Sequence, residues 1–538
     1  MEPVADGEQS TVAQETAQSQ AKSEIQEYLH VRTQRRRLFP RAALVGMVAG
    51  LVAVLFRALL SAGDTARNAL IHWAHHYPTF GWLFPVLFSA VGALLSVLMV
   101  RRIAPEAAGS GIPHLEAVLH RMRELDWRRV LPVKLVGGTL AIGGGLALGR
   151  EGPTVQMGAA AGAAVADWLR AGSRDRLTLI AAGAGAGLTA AFNAPLAGVI
   201  FVLEEVQKDF RQAVFGSVFI AAAVSDVVAR FASGQLPVFR VPSYPVPSLL
   251  ALPAFAALGV PAGLLGVVYN RSLIGTMNLF AAVPKRFAVA AAAAVGAGVG
   301  LVAWFAPSAV GGGHSLAETF LDGHAALAAI PVWFLARFVL SMGSYGSGAP
   351  GGIFAPLLVL GALIGLGVGE ATHLMFPHLV PIPAIFAVVG MAAYFTAIVR
   401  APLTGIVLII EMTGNYAQML PLVVACFCAY VVAEGLGQLP IYENLLERDL
   451  LRGGAPPDPK EPLVVEMEVE PGAPFDGLEV RQLGLPAGCI LVSCRSDGRE
   501  CIPTAGTRLE AHMRITAMIG PEAKAGLPAL RHGCESEV

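Results

Sequence analysis

Long apolar stretches, rather than regular alternation, dominate the chain. They fall near 42–61, 81–100, 130–148, 177–203, 213–232, 249–272, 287–306, 327–342, 353–376, 383–398, 401–412 and 419–437. A straight helix needs about 20 apolar residues to cross roughly 30 Å of hydrocarbon, and several of these runs are shorter. Uneven runs broken by glycine and proline predict helices that stop at mid-membrane. The C-terminal pattern is different. PLVVEMEV (462–469) alternates apolar and acidic positions, as a strand with one wet face does. GLEVRQLGL then reads as a short helix, GCILVSCRSDGRECIP as a hairpin turning at Ser496, Asp497 and Gly498, and HMRITAMIG as a further strand. The pattern predicts an all-α polytopic membrane body followed by a small α+β domain.

Composition sharpens that division. Of 538 residues, 55% are hydrophobic and only 14% charged, against about 25% charged in an ordinary globular chain. Mean hydropathy is +0.61. So apolar a chain has too little polar surface to cover a water-soluble body, and the lipid bilayer is its expected surrounding. Residues 1–41 carry 6 basic and 6 acidic residues, 42–440 carry 22 and 17, and 441–538 carry 10 and 16. The domains expected are a polar, partly disordered segment (1–41), a membrane body (42–445), a linker (446–461), a soluble domain (462–522) and a flexible tail (523–538). A net charge of −1 argues against nucleic acid as a partner.

Orientation follows from the basic residues. Arg32, Arg35, Arg36, Arg37 and Arg41 abut the first apolar run, which places that end in the cytoplasm. Arg121, Arg123, Arg128, Arg129 and Lys134 suggest a second cytoplasmic loop, although a solvated face would look the same. The first thirty residues hold no apolar core of a secretion signal. No CxxC spacing occurs among six cysteines, which are read as thiols.

Two segments repeat. NAPLAGVIFVLEE (193–205) matches RAPLTGIVLIIEM (400–412), an offset of 207, and GREGPTVQMG (149–158) faces GGIFAPLLVLG (351–361), with Pro153 and Pro356 203 apart. Two related halves are expected, near 42–245 and 250–440. If they are inverted, their matching loops meet near the midplane, where transporters of this build hold substrate.

The loops share one design. GSGIP (109–113), GREGP (149–153) and GGIFAP (351–356) each set glycines and a proline before an apolar run. Proline suits the first helical turn, and a helix start presents four unpaired N–H donors at the positive end of its dipole. Several such ends aimed at one point make an anion site without a buried cation. A glutamate among them, Glu151, would compete with the anion for the same donors.

These residues carry a resemblance. GSGIPHLE, GREGPTVQMG, GSGAPGGIFAP (346–356) and the tyrosine of QLPIYENL (438–445) resemble the signature segments of the CLC chloride channel and transporter family, in that family's order. The resemblance implies the CLC fold of two inverted repeats with roughly 18 helices, in a homodimer with one anion pathway per subunit. It implies that Ser110 and Tyr442 offer hydroxyls to chloride beside the backbone of Ile353 and Phe354, with Gly111, Gly149, Arg150 and Gly352 around them. Glu151 would be the gating carboxylate and Glu205 the internal proton-transfer acid, with Glu204 its companion near cytoplasmic water. Ser110 resembles the chloride-preferring rather than the nitrate-preferring members, and the loop differs from that of the fluoride exporters. His114 departs from many bacterial exchangers, which have an acid there, whereas Glu116 matches theirs.

The function implied is exchange of chloride for protons across a bacterial inner membrane, with both termini cytoplasmic. A passive voltage- or pH-gated chloride channel is the alternative. No cofactor and no enzyme activity are expected. The tail resembles a TrkA-C module in "LGLPAGCILV" and "RSDGRECIPTAGTRLEAHMRITAMI", which implies either a dimerising appendage or a site for an unidentified small regulatory ligand. Other readings are weaker. GAGLTA (185–190) fits a nucleotide loop but follows no strand. His72, His75 and His76 have helical metal spacing that an interfacial loop also explains. An intramembrane serine protease would need a histidine opposite GSG, and a potassium-transport subunit would need a TVGYG-type filter.

Overall fold

A computed structural model describes the backbone of residues 5–77, 79–208, 212–239, 241–242, 244–245, 248–322, 327–452, 462–496 and 499–535. Side chains are described for the same residues except 5–35, 212, 213, 452, 499, 521, 524 and 525. The side chains of Arg32 and Arg35, most of the expected linker (453–461) and the turn residues Asp497 and Gly498 lie outside the description. The chain forms two compact units, the first ending at Asp449 and the second starting at Leu450.

The first unit is helical, and eight of its described helices are long and apolar enough to cross a membrane. The others are short for a physical reason written in the sequence. The run at 177–203 is interrupted. Helix Ser173–Phe192 ends where Asn193 turns left-handed (φ 52°), and helix Pro195–Phe201 follows, running into a π turn over Val202–Val206. A proline disfavours the helical conformation at the residue before it, and Ala194 accordingly sits at φ −129°, ψ 79°. The second half repeats the break: Ala384–Val399, Arg400 at φ 68°, Ala401 at φ −110°, ψ 79°, then Pro402–Thr413.

The repeat extends beyond the two matched motifs. A short turn Pro105–Ala107 before helix Ile112–Leu119 corresponds to Pro307–Ala309 before His314–Leu321. Lys134 overturns part of the basic-loop expectation. It is buried on helix Trp127–Gly143, and its Nζ donates to the carbonyls of Ala107 (2.9 Å) and Gly109 (2.7 Å). Arg337 does the same in the second half, its Nη1 donating to Ala309 (2.8 Å) and Gly311 (2.9 Å). Irregular backbone inside an apolar body needs such donors, because no water is there to supply them.

Small residues let the inner helices approach closely. A Cβ on Gly158 would lie 3.0 Å from the Cα of Gly187 and overlap the Gly183 carbonyl oxygen, and one on Gly183 would overlap the Gly158 carbonyl. At the other end of the unit the first helix is longer than its apolar run, spanning Ala5–Ala74 through Pro40. The boundary expected at 41 is therefore not a break in the backbone. Ala, Gln and Glu, which dominate the segment after residue 12, are good helix formers.

The second unit is a four-stranded antiparallel sheet in the order β1 (Leu463–Glu468), β4 (Arg514–Ile519), β2 (Cys489–Ser496), β3 (Arg499–Cys501). Alternation sets its core: Ile515, Ala517 and Ile519 are buried on β4 and join Val469, Leu509 and Leu530. The helix expected at GLEVRQLGL is only a 3-10 turn, Val480–Gln482; two glycines and its brevity leave too few bonds for an α-helix. The expected flexible tail instead contains helix Leu527–Cys534, held by burial of Leu530 and Cys534.

All six cysteines are free thiols. Burial, with Cys501 beside it, pushes the Cys494 thiol up to about 11, and burial together with Glu535 does the same for Cys534. Both are protonated at pH 8, whereas Cys501 is exposed. A hydrophilic thiol reagent at that pH should label Cys501 well before Cys494 or Cys534, and equal rates in native protein would contradict this packing. In the membrane body, Gly158→Leu should cost about 1–3 kcal/mol or more, visible as a lower unfolding midpoint in detergent. Gly275→Ala, with nothing within 4 Å, should instead gain ~0.4–1 kcal/mol.

Candidate anion and proton site

Three glycine-proline loops are stitched together by their own backbones. Gly149 N–H donates to Gly352 O and Gly352 N–H to Gly149 O, both at 2.7 Å, and Gly351 N–H donates to Gly109 O at 2.9 Å. The starts of helices Ile112–Leu119, Glu151–Trp168 and Phe354–Met375 therefore meet. Two glycines make the approach feasible. Gly111 has φ 80°, and a Cβ there would overlap the Gln156 amide. A Cβ on Gly149 would lie 2.9 Å from the Ala355 nitrogen and overlap the Glu151 carboxylate. Four predicted residues, Ser110, Gly111, Gly149 and Gly352, thus share one small volume.

Glu151 is buried, its carboxylate beside the Ala355 amide at the start of helix Phe354–Met375. Its Oε2 has no side-chain or backbone partner. Ile353 caps the same helix, and the Phe354 ring packs on Phe395, Phe192 and Phe201 at centroid distances of 4.6, 5.7 and 6.0 Å. Phe354 therefore offers the site its backbone, not its ring. Tyr442 is fully buried with its hydroxyl unpartnered, within electrostatic reach of Tyr345, Glu205 and Glu151. Tyr345 was not foreseen. Its Oη accepts from Ser110 N–H at 3.4 Å and contacts Ser110 Oγ at 3.5 Å, which ties it to the loop. Its only sequence signal was an aromatic residue just before GSGAP.

Arg150 turns its guanidinium away from the stitched loops. It donates to Ala191 O at 3.2 Å and lines a cavity of about 590 Å³ with Arg57, Arg67, Glu151 and His314. The cavity gives Glu151 an open side and lines it with three arginines, one of them paired with Asp64, a positive surplus that concentrates anions. Of the three histidines with metal spacing, His75 bonds Ile71 O at 2.7 Å and stacks on Trp304, and His76 bonds Trp73 O at 3.0 Å.

The acids of the first repeat diverge. Glu205 is 4% exposed with Oε1 unpartnered. Glu204 accepts Leu403 N–H at 3.1 Å on Oε1, and Thr404 N–H and Oγ1–H, both at 2.7 Å, on Oε2. Glu411, its counterpart 207 residues on, accepts Leu196 N–H at 3.2 Å and Ala197 N–H at 2.8 Å. Each half thus caps the other half's short helix. Beside Glu205, Lys208 Nζ reaches Glu116 Oε1 at 3.2 Å and Glu443 Oε1 at 2.5 Å.

Comparison with known proteins agrees with this geometry. Residues 92–434 match the profile of the voltage gated chloride channel family, and residues 464–525 that of the TrkA-C domain. The chain is 42% identical over 416 residues to the H(+)/Cl(-) exchange transporter ClcA of Vibrio parahaemolyticus serotype O3:K6, covering 76% of this chain and 89% of that relative. It is 39% identical over 448 residues to the transporter of the same name from Salmonella paratyphi A, covering 79% and 94%. A solved slow cyanobacterial Cl-/H+ antiporter superposes with TM-score 0.75 at 36% identity, over 77% of this chain and 98% of that one. A membrane body of paired, broken helices whose starts converge on a buried glutamate, matched along most of its length, makes this chain a member of the voltage-gated chloride channel (CLC) family with a TrkA-C domain at its C-terminal end.

Proposed function

We propose that the chain is a secondary transporter that exchanges chloride for protons, as the names of its relatives describe for them. One observation carries the reading. The starts of three helices are tied together around a buried glutamate whose carboxylate lies against the amide donors that an anion would use. An ionised Glu151 competes with chloride for those donors, and a protonated Glu151 gives up its claim. Anion occupancy and the protonation state of Glu151 are therefore linked at one place, so that neither ion moves independently of the other. Ser110 and Tyr442 supply hydroxyls, and the backbone at Ile353 and Phe354 supplies N–H dipoles. Charge that developing helix ends can meet without a buried cation lets the ion leave as readily as it arrives.

Glu205 favours exchange over a passive channel. A buried acid with an unpartnered oxygen is costly inside a membrane and is retained where protons must cross. It lies within electrostatic reach of Tyr442, which in turn reaches Glu151, so the Tyr442 hydroxyl links the surroundings of both acids. We place the protein in a bacterial inner membrane with both ends cytoplasmic, as a homodimer. Leu196, Leu403, Phe215 and Phe427 are exposed on the two short helices and their neighbours, an apolar face suited to a second copy. The TrkA-C unit is a dimerising element or a ligand-responsive one.

Two substitutions test the reading in proteoliposomes with chloride and pH electrodes recorded together. Glu151→Gln should abolish uphill proton movement driven by a chloride gradient while chloride continues to pass. Glu205→Gln should keep chloride flux within a few-fold and lose coupled protons; proton pumping that survives this change refutes the assignment.

A further inference from the structure

We propose that protons reach Glu205 from the cytoplasmic water through an ion cluster of Glu443, Lys208 and Glu116, and that Glu204 is a structural cap rather than part of that route. The proposal rests on the exchange reading above. Glu204 is already spent. Its two oxygens accept three donors from the first turn of helix Pro402–Thr413, and a proton on it would set an O–H against amides that themselves donate. Glu411 repeats the arrangement on helix Pro195–Phe201. Because the same contact recurs 207 residues on, in a half that has Met412 where the first has Glu205, capping belongs to the duplicated scaffold and not to proton transfer.

The cluster is not repeated in this way, because at the same offset of 207 Lys208 corresponds to the uncharged Asn415. Lys208 follows the π turn that carries Glu204 and Glu205, in the left-handed conformation at φ 51°. That bend brings its ammonium between two acids from distant helices. Its side chain is 37% exposed and that of Glu443 40%, whereas the Glu116 side chain is 5% exposed. Exposure therefore falls steeply from Glu443 to Glu116, and Glu205 is buried as deeply as Glu116. Glu205 lies within electrostatic reach of Glu116, Lys208, Glu443, Glu204 and Tyr442, and Glu116 within reach of His120. With the three acids ionised and Lys208 charged, the cluster carries a surplus of negative charge beside a buried carboxylate, which draws a proton inward. A proton taken by Glu443 from water frees Lys208 to pair with Glu116, and the proton passes on to the carboxylate of Glu205. No atom other than the proton changes partner covalently.

The full-length protein in proteoliposomes gives the test. Glu443→Gln should lower the proton-to-chloride flux ratio at least five-fold at pH 7 on the side facing the C-terminal end, with chloride flux retained. Lowering that side to pH 5 should recover most of the ratio, because direct protonation replaces the lost collector; a merely structural ion pair would not respond in that way. Glu443→Asp should rescue part of the loss. Glu204→Gln, which keeps an acceptor for the cap, should reduce the ratio less than Glu443→Gln does. A Glu443→Gln protein with the unaltered ratio, or the reverse ordering of the two variants, overturns the proposal. If Glu205→Gln itself leaves coupling intact, the exchange reading fails first, and the two failures are thereby told apart.

Discussion

Hydrocarbon offers no hydrogen bonds, so each N–H and C=O exposed where a helix stops at mid-membrane must find a partner inside the protein. Nearly every unusual contact in the membrane body answers that demand. Loop carbonyls are met by Lys134 and Arg337, loop backbones pair across Gly149 and Gly352, and the short helices are capped by Glu204 and Glu411. One set of donors stays open to competition, the helix starts around Glu151 and Ala355. An anion site of this kind is what remains after the rest of the broken backbone has been satisfied, and its ligands need no net positive charge.

Duplication explains the scaffold, and its exceptions carry the chemistry. At an offset of 203, Glu151 corresponds to Phe354, and at 207, Glu205 corresponds to Met412. One half thus presents a titratable side chain where the other presents only backbone and an apolar ring. Where the halves agree, the residues hold structure: Lys134 with Arg337, Asn193 with Arg400 in left-handed turns, Glu204 with Glu411 as caps. A symmetric pair would bind the same thing twice. On the exchange reading proposed above, breaking the symmetry at two acids would give the pathway two distinct proton stations around a single anion seat.

Much of this was legible in the chain. The break before Pro402 falls between two of the apolar runs, 383–398 and 401–412. The break before Pro195 lies within the single run 177–203, and proline alone could not mark it because Pro40 and Pro261 sit inside helices. Ser110, Gly149, Glu151 and Gly352 were found together because their loops share one glycine-proline design. Lys134 was misread because charge clustering along the sequence says nothing about which face of a helix turns inward. The helix at Leu527–Cys534 was missed since two of its apolar positions, Leu530 and Cys534, pack only against a sheet formed far upstream. Tyr345 and Lys208 escaped for a related reason. Their partners lie 235 positions away, and no periodicity encodes a separation of that length.

The placement of Tyr442 and Glu443 bears on how anion and proton movements stay linked. Successive residues on a helix point about 100° apart, so the first turn of helix Ile441–Arg452 offers a hydroxyl to the interior and a carboxylate toward solvent. Helix Ile112–Leu119 pairs the same two groups, with Ser110 in the loop that starts it and the buried Glu116 one turn on. The two helices that would supply side-chain donors to the anion in the proposed site are thus the two that grip Lys208. Any shift of those helix starts as chloride arrives or leaves must also move Glu116 and Glu443 against Lys208, and hence alter the field at Glu205. Coupling then needs no separate lever, because one pair of rigid segments bounds both the anion seat and the acids that load the proton.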